Sequence, residues 1–319
     1  MSGAAASGGA DWLAEAFSQA RPRLVRVAYA ILGSHAEAED VVADCWLRLV
    51  AADGQEPVRD VESWAVVAVS RLALDVLRSA RVRREQYVGP WLPEPVVAGA
   101  AGPAGVAGAD DATRFGGDPA EKVTLDDEVS YALLVVLETL TPPERTAFVL
   151  HDLFGVPFGE VATVVGRSPE AVRQLASRAR RHVRSRSAWS PVDAAEHRRV
   201  VSAFSTAVLT GDLAALVGVL DPEVVLVSDG GGVVSAARKP VLGADEVARF
   251  ILGVMAKGGP DGQIAQVSVN GAPGFAVYRG DDLVTIVSVT VAGDRVSRID
   301  MVRAPDKLPH PAAGDAAGD

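Results

Sequence analysis

Hydrophobic residues recur at helical spacing over residues 11–87, which predicts three helices joined by short turns. In the first helix apolar side chains return every three or four positions, and Gly33 marks its end. Ser34 then fits the N-cap of a second helix over about 35–50, with a glutamate three residues on. After a turn-rich stretch, a third helix is predicted from about 62 to 84.

Residues 126–188 return to helical spacing. The last two predicted helices, Phe158–Val165 and Ser168–Arg186, are separated only by Gly166 and an arginine. The serine that opens the second of them is a good N-cap, and Pro169 suits the first helical position. Two short helices with a glycine in the turn between them are typical of a helix-turn-helix.

The pattern changes again over residues 193–309, where helices are followed by runs of alternating apolar and polar residues. The predicted helices cover about 194–210, 213–220 and 243–255, and the predicted strands 224–228, 264–270, 274–278, 283–291 and 296–303. Helices followed by an antiparallel sheet indicate an α+β domain.

Residues 88–125 separate the two helical domains and differ in kind from both. Twelve of the 33 residues over 88–120 are glycine or proline, and the stretch is acidic, so it is predicted to be a linker. Its first part is different, because Trp91 and Leu92 stand among three prolines. A stiff, extended segment with apolar anchors indicates docking onto another surface.

Composition narrows the class of protein. No apolar run approaches the ~20 residues of a membrane helix, and the first ten residues lack the basic and apolar regions of a signal peptide. Cys45 is the single cysteine, which excludes an internal disulfide and a cysteine-based zinc site. We therefore expect a cytoplasmic protein without a membrane partner, a metal or a cofactor.

Charge is distributed unevenly along the chain. The net charge of −10 argues against nucleic-acid binding, but residues 129–189 hold eight basic and five acidic residues. One face of the predicted 168–186 helix is apolar and the other is basic. The residues of that other face expected to contact DNA are Arg173, Gln174, Ser177, Arg178 and Arg181. The alternative is a solvated face, which would normally mix both signs of charge.

A second basic cluster lies at the end of the predicted 62–84 helix, and Trp64 stands near its start. An aromatic ring beside basic residues suits unpaired bases, although core packing is the alternative for this tryptophan. The cluster consists of Arg71, Arg78, Arg81, Arg83 and Arg84. The 35–50 helix is acidic and aromatic, so it is either a plain amphipathic helix or a protein-docking face.

Together these motifs resemble the extracytoplasmic-function sigma factors of the sigma-70 family, in the sigma-J-like subgroup with a SnoaL-like C-terminal extension. The segments that carry the resemblance are 33–40 with Trp46-Leu-Arg48, then Trp64, Asp75 and Arg78, then Leu140-Thr-Pro-Pro-Glu-Arg145, His151-Asp152 and 167–174. The most specific match is Tyr87-Val-Gly-Pro-Trp-Leu-Pro-Glu-Pro95, followed by Asp229-Gly-Gly-Gly232 and Pro305-Asp-Lys-Leu308. The chain departs from the family pattern at Ser70-Arg71, Val233 and Ala304.

The resemblance implies a multidomain fold: two all-α sigma domains, the second with a helix-turn-helix, followed by an α+β SnoaL-like cone domain. It implies a sigma factor that directs core RNA polymerase to promoter DNA, with the 168–186 helix reading the −35 element. The residues expected to bind polymerase are Asp40, Asp44, Trp46 and Leu47, and those expected at the −10 element are Trp64, Arg71, Arg78 and Arg81. The C-terminal domain would regulate activity in cis in place of a separate anti-sigma factor. Its expected regulatory contacts involve Trp91, Leu92, Pro93, Asp229, Gly230, Asp306 and Lys307.

Two other classes of protein are weighed against this one. An enzyme would need an acid/base pair, yet residues between Arg198 and Pro309 include no histidine, and Asp229, Asp282 and Asp300 are the candidate bases. We therefore expect no catalytic residues, with a small ligand in the C-terminal domain left open. A helix-turn-helix repressor with a ligand-binding domain is the alternative function, but it leaves residues 11–87 without a role.

Overall fold

The computed structural model describes residues 4–85, 87, 89–98, 129–186, 193–257 and 262–309. These divide into two compact units. A helical unit contains residues 4–85 and 136–185, and a sheet unit contains 87, 89–98, 129–135, 186, 193–257 and 262–309. Two helical segments followed by an α+β segment match the predicted fold class. The side chains of Arg81, Arg83 and Arg84, which belong to the predicted basic cluster, lie outside what the structure describes. Most of the 88–125 linker lies outside it as well.

Three long helices open the helical unit: α1 (Ala4–Leu32), α2 (His35–Asp53) and α3 (Val61–Glu85). Gly33 follows α1 in the left-handed region, with φ 71°. The predicted cap is confirmed, because the Ser34 hydroxyl accepts a hydrogen bond from the amide of Glu37 at 3.3 Å. The carboxylate of Asp60 accepts one from the amide of Ser63 at 3.0 Å and so begins α3. The sequence thus sets these helix ends by local hydrogen bonds.

Four shorter helices follow: α4 (Tyr131–Leu137), α5 (Pro142–Phe148), α6 (Phe158–Val165) and α7 (Pro169–Ser185), with a π-helical turn over Val149–Leu153. Gly166 ends α6 with φ 71°, and the Ser168 hydroxyl accepts from the amide of Ala171 at 3.3 Å. The predicted helix-turn-helix is therefore present as α6 and α7, joined by a left-handed glycine.

The buried side chain of Arg145 links α5 to α1. Its Nε donates to the carbonyl of Ala30 at 3.2 Å, and one terminal nitrogen lies 2.6 Å from a Glu138 oxygen. Arg145 is 1% exposed, so its charge must be compensated inside the unit, and Glu138 provides the opposite charge. The two helical segments that the sequence separates by a linker thus share one interior.

Among the residues described, the sheet unit contains the first residues of α4, a 3-10 turn (Pro305–Lys307), and three further helices with seven strands. In chain order these are β1 (Val97–Ala98), α8 (Ala194–Thr210), α9 (Leu213–Val219), β2 (Leu220–Asp229), β3 (Val241–Leu242), α10 (Ala244–Lys257), β4 (Gly262–Val269), β5 (Ala272–Arg279), β6 (Asp282–Ala292) and β7 (Arg295–Val302). The strand order is β1-β4-β5-β6-β7-β2-β3. Strands β4 to β7 form a meander of antiparallel hairpins.

The sheet differs from the predicted antiparallel sheet in two ways. Strand β2 pairs in parallel with β7, with Leu226 opposite Ile299. The chain leaves β2, crosses over α10 and returns through the meander, so β7 reaches β2 running in the same direction. The second difference is β1, which comes from the linker and pairs with β4 through Val97 and Val269.

The two faces of the sheet have separate apolar cores. One face packs against α8, α9 and α10, with Phe204, Leu216 and Phe275 in its core. On the other face, Leu92 of the linker and Tyr131 of α4 pack against the strands. The linker segment therefore forms part of the sheet unit.

Candidate functional site

The side chains expected to read DNA lie together on α7. Val172, Ala176, Ala179 and Val183 recur every three or four residues along α7. They lie on one face of the helix and are buried against the rest of the helical unit. The opposite face is exposed and bears no acidic residue within the depression it forms. The residues that line this shallow depression are Arg173, Gln174, Ser177, Arg178 and Arg181.

Neighbouring residues hold two of the arginines of α7, Arg173 and Arg180. The guanidinium of Arg173 lies 5.5 Å from the ring centroid of Phe158, which in turn stacks on His151 at 3.7 Å. The guanidinium of Arg180 pairs with Asp152. Arg180 thus serves the fold of the helical unit, while Arg178 and its exposed neighbours remain on the open face.

The side chains expected at the −10 element lie along α3 but are not equivalent. Trp64 is half-buried near the start of the helix, and Arg78 is exposed and lies 3.2 Å from Asp75. The guanidinium of Arg71 donates to the carbonyl of Thr163 on α6, at 3.1 and 3.3 Å. The structure therefore engages Arg71 in a contact between α3 and the helix-turn-helix, which sequence reasoning did not foresee.

The residues expected to bind polymerase lie on α2, where three share one exposed face. Asp40, Asp44 and Leu47 are all exposed, and Leu47 has 67% of its surface accessible. Val50 extends the same face and is 47% exposed. Trp46 lies apart, because its ring packs against Phe17 with 5.2 Å between ring centroids. An acidic and apolar face of this kind suits a protein partner.

In the sheet unit, Asp229 binds the linker region through Tyr87 and Leu92 and is paired with Lys307. Its carboxylate accepts from the amide of Leu92 at 2.9 Å, from the hydroxyl of Tyr87, and from the ammonium of Lys307 at 2.7 Å. It is fully buried at the end of β2. We call Tyr87, Trp91, Leu92, Asp229 and Lys307 the linker latch.

Lys307 completes the linker latch from the other side. Its ammonium donates to the carbonyl of Leu92 at 2.7 Å and lies 3.0 Å from the ring centroid of Trp91. Tyr87 meets the Trp91 ring edge-on, with centroids 5.7 Å apart. The cation therefore has a carboxylate, a carbonyl and an aromatic face around it.

The groups around Asp229 keep its carboxylate ionised. Burial raises the pKa of the Asp229 carboxyl, but the Lys307 ammonium and the hydrogen bonds around it outweigh this and hold that pKa below its usual value. Burial and the bond to Asp229 raise the pKa of the Tyr87 hydroxyl, so it stays a donor. The exposed carboxylate of Asp306 adds to that rise.

The glycine-rich turn after Asp229 allows close packing. A Cβ on Gly230 would lie 2.3 Å from the carbonyl of Val234, so no side chain fits there. Gly231 has φ 69°, and its amide donates to the Asp229 carboxylate at 2.9 Å. The turn begins directly after β2, which ends at Asp229, and the burial of this carboxylate was not evident from the sequence.

Two further residues, Tyr131 and Asn270, hold the linker on the sheet, and neither was singled out from the sequence. The hydroxyl of Tyr131 donates to the carbonyl of Pro93 at 2.9 Å. Asn270 accepts from the amide of Val96 through its side chain at 3.0 Å and donates its own amide to the Val96 carbonyl at 2.8 Å. An Asn-Gly pair between two strands signals a hairpin turn, which Asn270 also forms with φ 46°.

Among the described residues no cluster of histidine, cysteine and carboxylate side chains could hold a metal ion, and no helix is long and apolar enough to cross a membrane. Of the three candidate bases, Asp229 is held by Lys307, Asp282 is exposed, and Asp300 is buried against Arg298. None of the three lines the cavity of the sheet unit.

Comparison with known proteins agrees with this arrangement. Residues 16–83 match the family described as sigma-70 region 2, and residues 130–183 match sigma-70 region 4. The ECF RNA polymerase sigma factor SigJ of Mycobacterium tuberculosis is 41% identical over 92% of this chain and 92% of its own length. The probable ECF sigma factor SigI of the same species is 35% identical over 93% of this chain and 95% of its own.

A solved structure extends the likeness to the whole fold. The crystal structure of M. tuberculosis SigJ superposes with a TM-score of 0.70 at 36% identity, covering 91% of this chain and 96% of that one. Both helical segments and the sheet unit are thus accounted for by one relative. The chain belongs to the extracytoplasmic-function sigma factors, a family of sigma-70-type RNA polymerase sigma factors.

Proposed function

We propose that this chain directs core RNA polymerase to specific promoters and that its sheet unit regulates this activity in cis by binding the linker. The observation that carries the proposal is the buried pair of Asp229 and Lys307, which holds both backbone groups of Leu92. Because the buried ion pair bonds to the backbone of Leu92, the sheet unit holds the linker at that one residue.

The −35 element would be read by α7. Its exposed face offers arginines and Gln174, and planar guanidinium groups match the acceptor edge of guanine in the major groove. The buried stripe of α7 fixes the direction in which these side chains point. We assign base contacts to Arg173, Gln174, Ser177 and Arg178, and a phosphate contact to Arg181.

The −10 element would be bound by α3 through Trp64, Arg78 and Arg81, with Arg71 as a fourth contact. In this structure Arg71 is bound to the Thr163 carbonyl. Contact of Arg71 with DNA therefore requires that α6 move away from α3. Core polymerase would bind the exposed face of α2 at Asp40, Asp44 and Leu47, with Trp46 supporting that face from behind.

Regulation in cis would make a separate anti-sigma factor unnecessary. The sheet unit binds the linker by a buried ion pair, by strand pairing at β1 and by the Tyr131 hydroxyl. These contacts belong to the same chain, so they form at the high effective concentration of a tethered ligand. The repressor alternative is not favoured, because region 2 covers residues 16–83 and a repressor has no use for it.

Run-off transcription tests this proposal. Core polymerase free of any sigma factor would be incubated with the full chain and a library of promoter fragments. We expect transcripts from a defined −35/−10 pair, and an altered yield with Asp229→Asn. The matched control is Asp245→Asn, which breaks an exposed ion pair with Arg249 in the same unit and should leave the yield unchanged.

The outcomes separate the two parts of the proposal. An absence of transcripts for every variant would contradict sigma activity. Equal yields from the wild-type chain and from Asp229→Asn would keep sigma activity and overturn regulation through the linker latch.

A further inference from the structure

A cavity of about 450 Å³ lies in the sheet unit on the face covered by α8 and α10. Its size is that of a small-molecule site. Phe204, Phe250 and Phe275 form part of its wall. The linker latch packs on the other face of the sheet, so the proposed regulatory contacts do not account for this cavity.

Two strands line the cavity in the same order, with apolar residues followed by an arginine. On β5 the lining residues are Phe275, Val277 and Arg279. Because alternate residues of a strand share a face, these three side chains point to the same side. They span roughly 13 Å at about 3.3 Å per residue.

Strand β7 repeats this order with Ile299 and Met301, and Arg303 follows directly after the strand ends at Val302. Register places the two arginines at one end of the sheet, since Arg279 lies opposite Asp282 at the start of β6 and Val302 lies opposite Ile286. The wall of the cavity is therefore apolar along the two strands and cationic at one end.

The charged side chains that line the cavity, among the residues described, are all positive. Among the described residues that line it, Lys257, Arg279 and Arg303 are cationic and none is acidic. Arg303 donates to the carbonyl of Ser235, a neutral partner. Burial, together with the nearby charge of Arg279, lowers the pKa of the Arg303 guanidinium. An anion between these arginines would offset both effects.

The apolar wall continues to the surface. Leu209 and Val254 line the cavity, and they are 66% and 38% exposed. Large apolar side chains at the edge of a cavity give an apolar molecule a route inward. Neither residue has a role in the helix-turn-helix or in the linker latch.

We propose that this cavity binds a small amphiphile with one anionic head group, placed between Arg279 and Arg303, and an apolar chain lying against Phe275 and Phe204. The head forms charge-assisted hydrogen bonds with the guanidinium groups, and the chain removes apolar wall from water. This site does not depend on the promoter activity of the chain, because it lies within the sheet unit alone.

Calorimetric titration of the full chain tests the proposal with three probes of equal length: decanoate, decanol and decyltrimethylammonium, all below their micelle concentrations. We expect decanoate to bind at one site. Decanol should bind about tenfold more weakly, which corresponds to the loss of one charge-assisted hydrogen bond. Decyltrimethylammonium should bind more weakly still.

Variants locate the site. Arg279→Gln should weaken decanoate binding about tenfold and leave decanol binding unchanged. Val254→Trp should weaken both by blocking the entrance, and Arg249→Gln, which changes an exposed charge on α10 outside the cavity, should weaken neither. Circular dichroism would confirm that each variant is folded.

Three results would overturn the proposal: no decanoate binding at millimolar concentration, equal affinities for decanoate and decanol, or decanoate binding that neither Arg279→Gln nor Val254→Trp alters. The second result would mean an apolar cavity without anion recognition, and the third would place the bound molecule elsewhere on the chain.

Discussion

The Nζ of Lys307 lies 2.7 Å from the Oδ2 of Asp229, and the two side chains are 5% and 0% exposed. The same ammonium reaches the carbonyl of Leu92, and the same carboxylate reaches its amide. Removal of either charge leaves the other buried without compensation, which is more costly than never having buried the pair. The linker and the sheet unit are therefore tied energetically through two residues that lie 78 positions apart.

Asp229→Asn should destabilise the sheet unit by about 3 kcal/mol, because it leaves the Lys307 ammonium buried beside a neutral amide. Urea unfolding measures the loss, and hydrogen exchange at the amide of Leu92 shows whether the linker is released. Asp245→Asn, which breaks an exposed pair, is the control and should change neither. Equal stability of the two variants would mean that the linker latch contributes little.

Acid should release the linker. The folded-state pKa of Asp229 is held below its unfolded value, so its contribution to stability is present above the unfolded pKa and is lost as the pH falls through the folded pKa. The difference in unfolding free energy between the wild-type chain and Asp229→Asn should therefore shrink between about pH 5 and pH 2. A difference that stays constant over this range would contradict a charged Asp229.

Arg178→Gln should weaken recognition of the −35 element by about 1–3 kcal/mol if its guanidinium contacts a base edge. It should also relax selectivity at one base pair, because a phosphate contact alone carries no sequence information. The measurement is binding of the reconstituted holoenzyme to promoters that vary at single −35 positions. Arg199→Gln, on an exposed arginine of α8, is the control and should alter neither affinity nor selectivity.

Leu47→Ala should weaken binding to core polymerase by about 1–2 kcal/mol, because it removes an exposed apolar side chain that the partner would bury. The free energy of unfolding of the chain should not change, because 67% of the Leu47 surface is already exposed to solvent. Leu242→Ala provides the matched control, as Leu242 is 63% exposed in the sheet unit. Equal polymerase affinities for both variants would remove α2 from the interface.

Cys45 should resist thiol reagents in the folded chain. Burial raises the pKa of its thiol to about 11, so almost no thiolate exists at about pH 8. Titration with a disulfide reagent should label it slowly in buffer and fully in denaturant. Rapid labelling in buffer would show that α2 opens readily from α1 and α3, and Cys45 would then report this motion.

Local chemistry predicted the helical unit well. Gly33, Ser34 and Gly166 act within a few residues of their own positions, so the helix ends could be located from the sequence. The exposed face of α7 was also predictable, because the period of the helix separates its arginines from its buried valines. What the sequence did not reveal was the bond from Arg71 to Thr163, which depends on how α3 and α6 pack.

Long-range pairing limited the prediction of the sheet unit. The parallel alignment of β2 with β7 depends on the path of the chain over α10, which no local pattern encodes. Strand β1 has only two residues, and its partner lies far along the chain. Asp229 and Lys307 were identified by resemblance to a family, because a turn residue and an isolated lysine carry no local sign of a buried ion pair.

The side chain of Asn270 bonds to the backbone at Val96 in the linker and at Val129 beyond it. Its side chain accepts from Val96 and donates to the carbonyl of Val129 at 3.5 Å, while its backbone forms the β4–β5 turn. One side-chain amide thus holds Val96 and Val129 close to the same point of the sheet unit. Lengthening a loop whose ends are fixed adds only about 0.6 kcal/mol for each doubling. Insertions and deletions within residues 99–128 leave β1 and both Asn270 contacts in place, so they should leave linker docking intact. The number of residues between these contacts can therefore vary, whereas the contacts themselves cannot.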